Sequence, residues 1–239
     1  MFLYKIYSFC IALPLFLVAT ILTATIVIIA AICGDANFIG YHLPRLWSRF
    51  TCFIFLIRVK TEGKELIDKK QSYVFLANHQ GYFDIFLIYG YLGHNFKWMM
   101  KEYLRKIPFV GYACERSKHI YVGDTLASIQ RTVTQAQQTL RGGMSMVIFP
   151  EGTRTFTGQM GAFKKGAFTL AKEIGLPIVP ITINGSFDIF NRKARSVSFG
   201  TLSLKVHEPI DATEQPTRVL MQNVFDIINA DIEDKYRKR

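Results

Sequence analysis

Two short stretches of this 239-residue chain hold side chains that can do chemistry. The first is Asn78-His79-Gln80-Gly81-Tyr82-Phe83-Asp84. A neutral imidazole is an effective general base near pH 7, and a carboxylate beside it fixes its tautomer and stabilises the imidazolium. On a regular helix, residues five apart such as His79 and Asp84 stand roughly 140° apart around the axis and cannot meet. They meet if His79 lies in a turn and Asp84 in the first turn of the next helix, and Gly81 makes such a turn easy. The plainer alternative is a loop histidine held for structural reasons, with Asp84 as a helix cap.

The second stretch, Phe149-Pro150-Glu151-Gly152-Thr153-Arg154, directly follows an apolar run. Ligands of open α/β sheets bind outside the carboxyl ends of strands. There Arg154 can fork onto a phosphate, with exposed backbone N–H groups helping. Lys164 and Lys165 come ten residues later and add charge. The alternative is a tight turn carrying a solvated arginine. No serine-nucleophile elbow is present, because Gly143-Met144-Ser145-Met146-Val147 lacks the closing glycine.

Both stretches need a frame, and the hydrophobic pattern supplies one. Short apolar runs at 72–77, 144–149, 178–183 and 201–206 read as strands. Between them lie helical patterns at 85–92, 163–174 and 217 to about 232. A further helix opens at Asp124, as its cap. Its apolar stripe is Leu126, Ile129, Val133, Ala136 and Leu140, and Gly142-Gly143 stops it. Strands separated by helices predict an α/β fold with a mainly parallel central sheet flanked by helices.

The N-terminus reads differently. No charged residue occurs from Ile6 to Cys33, and Pro14 interrupts the run early. Leu15–Cys33 alone, at about 1.5 Å per residue, spans close to the ~30 Å hydrocarbon core, and is too long for a signal-peptide core. The expected organisation is a transmembrane or membrane-embedded anchor over 1–33, a membrane-proximal interfacial segment over 34–63 and an α/β domain over 64–239. Arg45, Arg49, Arg58 and Lys60 follow the apolar run, against Lys5 before it, which predicts the bulk of the chain on the cytoplasmic face. The apolar stretch 50–57 is too short to span and is expected in the interface or packed on the domain.

Composition sets the outer limits. Half the residues are apolar and a fifth are charged, which excludes disorder. Cys10, Cys33, Cys52 and Cys114 are dispersed, with no Cys-x-x-Cys pair, so buried reduced thiols are expected and a zinc site is not. The formal charge of +11 points to an anionic partner or a membrane surface. The basic residues are scattered and match no nucleic-acid motif, so a nucleic-acid partner is not expected.

Taken together, the two stretches resemble the blocks of the glycerolipid acyltransferase family. Its Asn-His-x4-Asp block matches Asn78, His79 and Asp84, and its Phe-Pro-Glu-Gly-Thr-Arg block matches Phe149 to Arg154 without a substitution. Lys101 with Ile107-Pro108-Phe109-Val110-Gly111 resembles its second block, and Val179-Pro180-Ile181-Thr182 its fourth. Order and separation agree over about residues 60–210.

The resemblance implies an O-acyltransferase. His79, oriented by Asp84, would take the proton from a lysolipid hydroxyl, which attacks the thioester carbonyl of acyl-CoA or acyl carrier protein. Substrate binding would fall to Asn78, Lys101, Glu151, Gly152, Thr153, Arg154, Lys164 and Lys165, with Arg154 and the Gly152-Thr153 backbone on the acceptor phosphate and Glu151 alternatively orienting Arg154 or the turn. No cofactor or metal is implied, and the partners are membrane lipids, the lysolipid acceptor and the acyl donor. The implied acceptor is 1-acylglycerol 3-phosphate, giving phosphatidic acid. The family's second block usually ends in an arginine after an apolar strand, where this chain has Gly123-Asp124 after Ile120-Tyr121-Val122. Arg116, Lys118 or Lys101 then supplies the charge, or the acceptor is a lyso-amino-acid lipid. A lipid thioesterase or esterase is the alternative from a different class.

Overall fold

The computed structural model describes residues 2–34, 38–123, 125–191 and 196–237. Helix α1 (Phe2–Tyr7) passes through a π-helical turn, Ser8–Ala12, into α2 (Leu13–Ile32). Pro14 accounts for the turn: a proline presses on the carbonyl four residues back, that of Cys10, and a wider turn relieves the clash. The chain is therefore not broken at Pro14. Phe2–Ile32 forms one 31-residue helix, long and apolar enough to cross a membrane.

One face of that helix is packed. Ala12, Ala24 and Val27 are buried, and α3 (Phe38–Ile54) lies alongside. Trp47 Nε1 donates to Thr20 Oγ1 at 3.0 Å, and the Tyr7 hydroxyl donates to the Ile54 carbonyl at 2.9 Å. The other face, with Leu17, Val18, Leu22 and Ile29, is exposed and apolar.

Residues 38–63 are built into the α/β domain. Within them, α3 packs on the domain and β1 (Ile57–Glu62) joins the central sheet. The reason is burial: Cys52, Ile54, Phe55 and Ile57 enter the core, while Phe50, Phe53 and Leu56 stay outside. The α/β domain thus begins before residue 64.

The remaining elements are β2 (Val74–Ala77), α4 (Phe83–Tyr91), β3 (Phe96–Lys101), α5 (Val110–Arg116), β4 (Ile120–Val122), α6 (Leu126–Thr139), β5 (Ser145–Ile148), α7 (Lys165–Ile174), β6 (Ile178–Asn184), α8 (Ser186–Ile189), β7 (Phe190–Asn191), β8 (Ser196–Val197), β9 (Gly200–Val206) and α9 (Thr217–Ala230). Among the described residues the main sheet has seven strands in the order β1-β9-β6-β2-β5-β3-β4. Every neighbouring pair is parallel except β6 with β9.

Central strands β2, β5 and β6 are covered on both faces, which is why they read as continuous apolar runs. Phe75, Val147 and Val179 share a buried cluster with Phe55, just after α3, and with Phe86 and Leu87 of α4. Val74, Leu76, Met146 and Ile148 face α6, α7 and α9 through Val133, Phe168, Leu220 and Val224. Thr125 caps α6, its Oγ1 accepting from the Ser128 N–H at 3.2 Å. Asp124, expected as that cap, lies outside the described residues. Helix α7 starts at Lys165 rather than Phe163, because Lys164 is extended as the N-cap, its N–H donating to the Pro150 carbonyl at 2.8 Å.

Register does the rest. Leu76 of β2 pairs with Ile148 of β5, and Trp98 of β3 pairs with Val147. The residues after β2, after β5 and at the end of β3 therefore share one carboxyl rim.

Candidate active site

His79 sits in the turn leaving β2, and Asp84 occupies the first turn of α4. His79 Nδ1 and Asp84 Oδ2 are 2.6 Å apart, and the Gly81 N–H donates to the same oxygen at 2.9 Å. An ionised carboxylate only accepts, so Nδ1 carries the proton and the lone pair is left on Nε2. Nε2 has no hydrogen-bond partner among the described residues. The imidazole lies flat on Phe149, with centroids 3.8 Å apart, and Phe149 in turn stacks on Trp98 at 5.6 Å. The turn itself is clamped at Gly81, where a Cβ would come within 2.7 Å of the Ser186 carbonyl oxygen. Only glycine fits that approach.

The loop after β5 is tied to this turn through the backbone of His79. Glu151 Oε1 accepts from the His79 N–H at 2.7 Å, and Oε2 accepts from the Gly161 N–H at 2.7 Å. The Thr155 N–H donates to the His79 carbonyl at 2.9 Å. Burial lifts the Glu151 carboxyl to about 7, with the Asp84 charge adding to it and the two N–H donors opposing. Glu151 is thus buried and occupied, and it fastens the two loops to each other. Asn78 is buried, its Nδ2 donating to the Ile183 carbonyl at 2.9 Å and its Oδ1 accepting from the Ile183 N–H at 2.7 Å, which ties β2 to β6.

The cations are placed otherwise. The Arg154 guanidinium stacks over the Tyr82 ring, 3.6 Å from its centroid. No carboxylate pairs with Arg154 among the described residues. Lys164 lies across Gly152, whose φ is +70° and where a Cβ would meet Lys164 Nζ at 2.9 Å. Lys164 and Lys165 are exposed at the start of α7, whose first turn contains no acid. Lysines there oppose the helix dipole, and an anion would relieve both. Thr153 is exposed, and its hydroxyl donates to the Arg154 carbonyl at 3.0 Å.

Lys101 is exposed at the end of β3, with β5 between it and β2. The structure brings His79, Asp84, Glu151, Gly152, Arg154 and Lys164 together and leaves Lys101 outside that cluster, beside Val122 of β4. A Cβ at Gly123 would come within 2.8 Å of Ser128 Oγ, which accepts from the Gly123 N–H, and 3.2 Å of Glu102 Oε2, so a larger residue there displaces those side chains. Chemically, the rim offers a base with a free nitrogen next to an unneutralised cation. It can take a proton from a hydroxyl on a molecule that also carries an anionic group.

Three rings with structural roles here, Phe149, Tyr82 and Trp98, are not among the residues the sequence singles out. Phe149 and Tyr82 lie inside the two blocks, so position was the available signal. Trp98 left none, because its role depends on the β3–β5 register.

Residues 58–184 match the family model described as Acyltransferase. A chloroplastic 1-acyl-sn-glycerol-3-phosphate acyltransferase of Arabidopsis thaliana is 29% identical over 178 residues, covering 73% of this chain and 49% of that protein. The Saccharomyces cerevisiae 1-acyl-sn-glycerol-3-phosphate acyltransferase is 31% identical over 193 residues, covering 74% of this chain and 61% of the yeast protein. The chain thus spans about half the length of the plant relative. Among solved structures, the 1-acyl-sn-glycerophosphate acyltransferase PlsC of Thermotoga maritima superimposes with a TM-score of 0.79. It is 24% identical, with 95% of this chain and 92% of that chain covered, and it shares the fold.

Proposed function

Because the chain belongs to the acyltransferase family, we propose that it moves a fatty acyl group from acyl-CoA or acyl carrier protein to the free hydroxyl of 1-acylglycerol 3-phosphate, giving phosphatidic acid. His79 Nε2 takes the hydroxyl proton as the oxygen attacks the thioester carbonyl. Asp84 stabilises the imidazolium that forms. When the tetrahedral intermediate collapses, the thiolate leaves and takes the proton back from the imidazolium. The products are an ester and a free thiol. Arg154 holds the acceptor phosphate, with Lys164, Lys165 and the Gly152-Thr153 backbone beside it.

The observation that carries the reading is the pairing of His79 and Asp84 at 2.6 Å on the same rim as a guanidinium with no carboxylate partner among the described residues. The relatives named as 1-acyl-sn-glycerol-3-phosphate acyltransferases favour the phosphate monoester as acceptor. The exposed apolar face of α1 and α2 suits a membrane-embedded enzyme whose acceptor and product are lipids, with the domain on the cytoplasmic face.

The test is a labelled acyl-CoA or acyl carrier protein donor offered to the purified full chain with an acceptor panel: 1-acylglycerol 3-phosphate, glycerol 3-phosphate and lyso-amino-acid lipids. The expected result is transfer to 1-acylglycerol 3-phosphate, abolished by His79→Ala in a folded variant. Thiol release that is independent of acceptor would mean hydrolysis instead. Transfer to a lyso-amino-acid lipid alone would move the acceptor assignment.

A further inference from the structure

Tyr82 stands between the base and its carboxylate in the chain, in a turn that both ends hold fixed. The His79–Asp84 contact closes that turn, and Gly81 is pressed against Ser186. The Tyr82 ring is about half exposed, and Phe190 meets it edge to face with centroids 4.9 Å apart. Its face carries the Arg154 guanidinium at 3.6 Å. A cation this close to a ring centroid is seated on the negative π face, with its five N–H donors lying in the guanidinium plane and free at their outer edge.

This is unlike an arginine held by a carboxylate. A carboxylate would satisfy the fork and neutralise the charge, whereas an aromatic face fixes the plane and leaves both the fork and the charge for a ligand. The anchor of the platform matters equally. Tyr82 belongs to the turn that carries His79, and the loop carrying Arg154 is bonded to the backbone of His79 through Glu151 and Thr155. The distance from the phosphate-holding cation to the reacting hydroxyl is therefore set within one small hydrogen-bonded unit.

We propose that Tyr82 is a positioning residue that presets the plane of the Arg154 guanidinium for a bidentate grip on the acceptor's phosphate. The inference rests on the acceptor-phosphate reading above and adds the residue that tunes it. The platform acts on acceptor binding and leaves the proton transfer at His79 untouched.

The test compares Tyr82→Leu, Tyr82→Phe, Arg154→Ala and the double variant Y82L/R154A in the full chain, using 1-acylglycerol 3-phosphate and labelled acyl-CoA. Tyr82→Leu keeps apolar bulk against Phe190 and removes the π face. It is expected to raise the acceptor KM about fivefold, or ~1 kcal/mol, with kcat, donor KM and thermal midpoint close to wild type. Tyr82→Phe keeps the face and restores the wild-type KM. In the Arg154→Ala background, Tyr82→Leu adds nothing further, because the two act as one unit. A Tyr82→Phe variant as impaired as Tyr82→Leu, or additive effects in the double variant, would overturn the platform. So would an unchanged KM in Tyr82→Leu. Absence of wild-type transfer to this acceptor would overturn the functional reading and the platform with it, so the two failures are told apart by the wild-type control.

Discussion

The imidazole of His79 lies on the ring of Phe149 with centroids 3.8 Å apart and planes 9° from parallel. Asp84 holds one nitrogen of the same ring, so a flat contact and a hydrogen bond together stop it rotating. Trp98 backs Phe149 on the far side. Phe149→Ala frees the imidazole to swing about its Cβ bond, and misplacements of about 1 Å at a reacting centre cost on the order of 100-fold. The expected result is a kcat lower by roughly that factor, with acceptor KM within about twofold. Steady-state kinetics in both substrates check it, and an unchanged kcat would remove the stack from the account of the base.

Asp84→Asn tests the tautomer. Asp84 Oδ2 accepts from both Gly81 N–H and His79 Nδ1. An asparagine whose oxygen takes the Oδ2 place keeps both bonds but brings no negative charge to stabilise the imidazolium, and it sets its NH2 in the buried, unpartnered Oδ1 place; an NH2 in the Oδ2 place would oppose the Gly81 N–H and put the imidazole proton on Nε2, where the base must have a lone pair. Transfer is expected to fall by about 10³-fold or more, in line with loss of the orienting carboxylate in other His-dependent enzymes. Acceptor KM should change little. Activity near wild type would leave Asp84 as a helix-start residue and nothing more.

The parts of the fold that could be read from sequence are those with a strong local signal. Strands β2, β5 and β6 are buried on both faces and are apolar throughout, and α7 and α9 carry clear apolar stripes. Strand β1 is buried on one side only and reads Ile-Arg-Val-Lys-Thr-Glu, while β3 encloses a buried Lys97 whose amine donates to the Ser117 carbonyl at 2.7 Å. Polar residues satisfied only by tertiary partners hide a strand from a hydrophobic pattern. Helix α3 contains Pro44, which argues locally against a helix that packing against α2 and α4 nevertheless supports. At the site, the five-residue spacing of His79 and Asp84 was enough to raise their meeting, but Phe149 under the imidazole and Tyr82 under Arg154 depend on strand register and loop docking, which no local pattern encodes.

Glu151 makes the stability of the protein depend on pH in a defined direction. Burial raises its carboxyl from 4.5 to about 7, so between those values the folded chain holds a proton that the unfolded chain has lost. Raising the pH through that window therefore destabilises the fold. The contribution is complete below about 4.5 and gone above about 7. Glu151→Gln removes the titration, while its NH2 can no longer accept from one of the two N–H donors, His79 or Gly161. The thermal midpoint of wild type minus that of Glu151→Gln is expected to decline as pH rises from 4.5 to 7 and to level off above. A difference that stays flat across the window would mean that Glu151 is ionised throughout.

Asn78 offers the cleanest separation of structure from binding in the first block. Both of its side-chain polar atoms are engaged by the Ile183 backbone, and the residue is 1% exposed. Asn78→Ala strands a buried N–H and a buried C=O at Ile183, each costing about 1–3 kcal/mol when left unpaired. The expected loss of stability is therefore roughly 2–6 kcal/mol, measured by denaturant unfolding of the purified protein. Asn78→Asp should cost a similar amount. Its carboxylate can still accept from the Ile183 N–H but meets the Ile183 carbonyl oxygen with a second acceptor, in a place without solvent. Acceptor KM of the folded fraction should match wild type in both variants, because the side chain faces β6 and not the rim where Arg154 sits. A selective rise in acceptor KM at unchanged stability would return Asn78 to the substrate site.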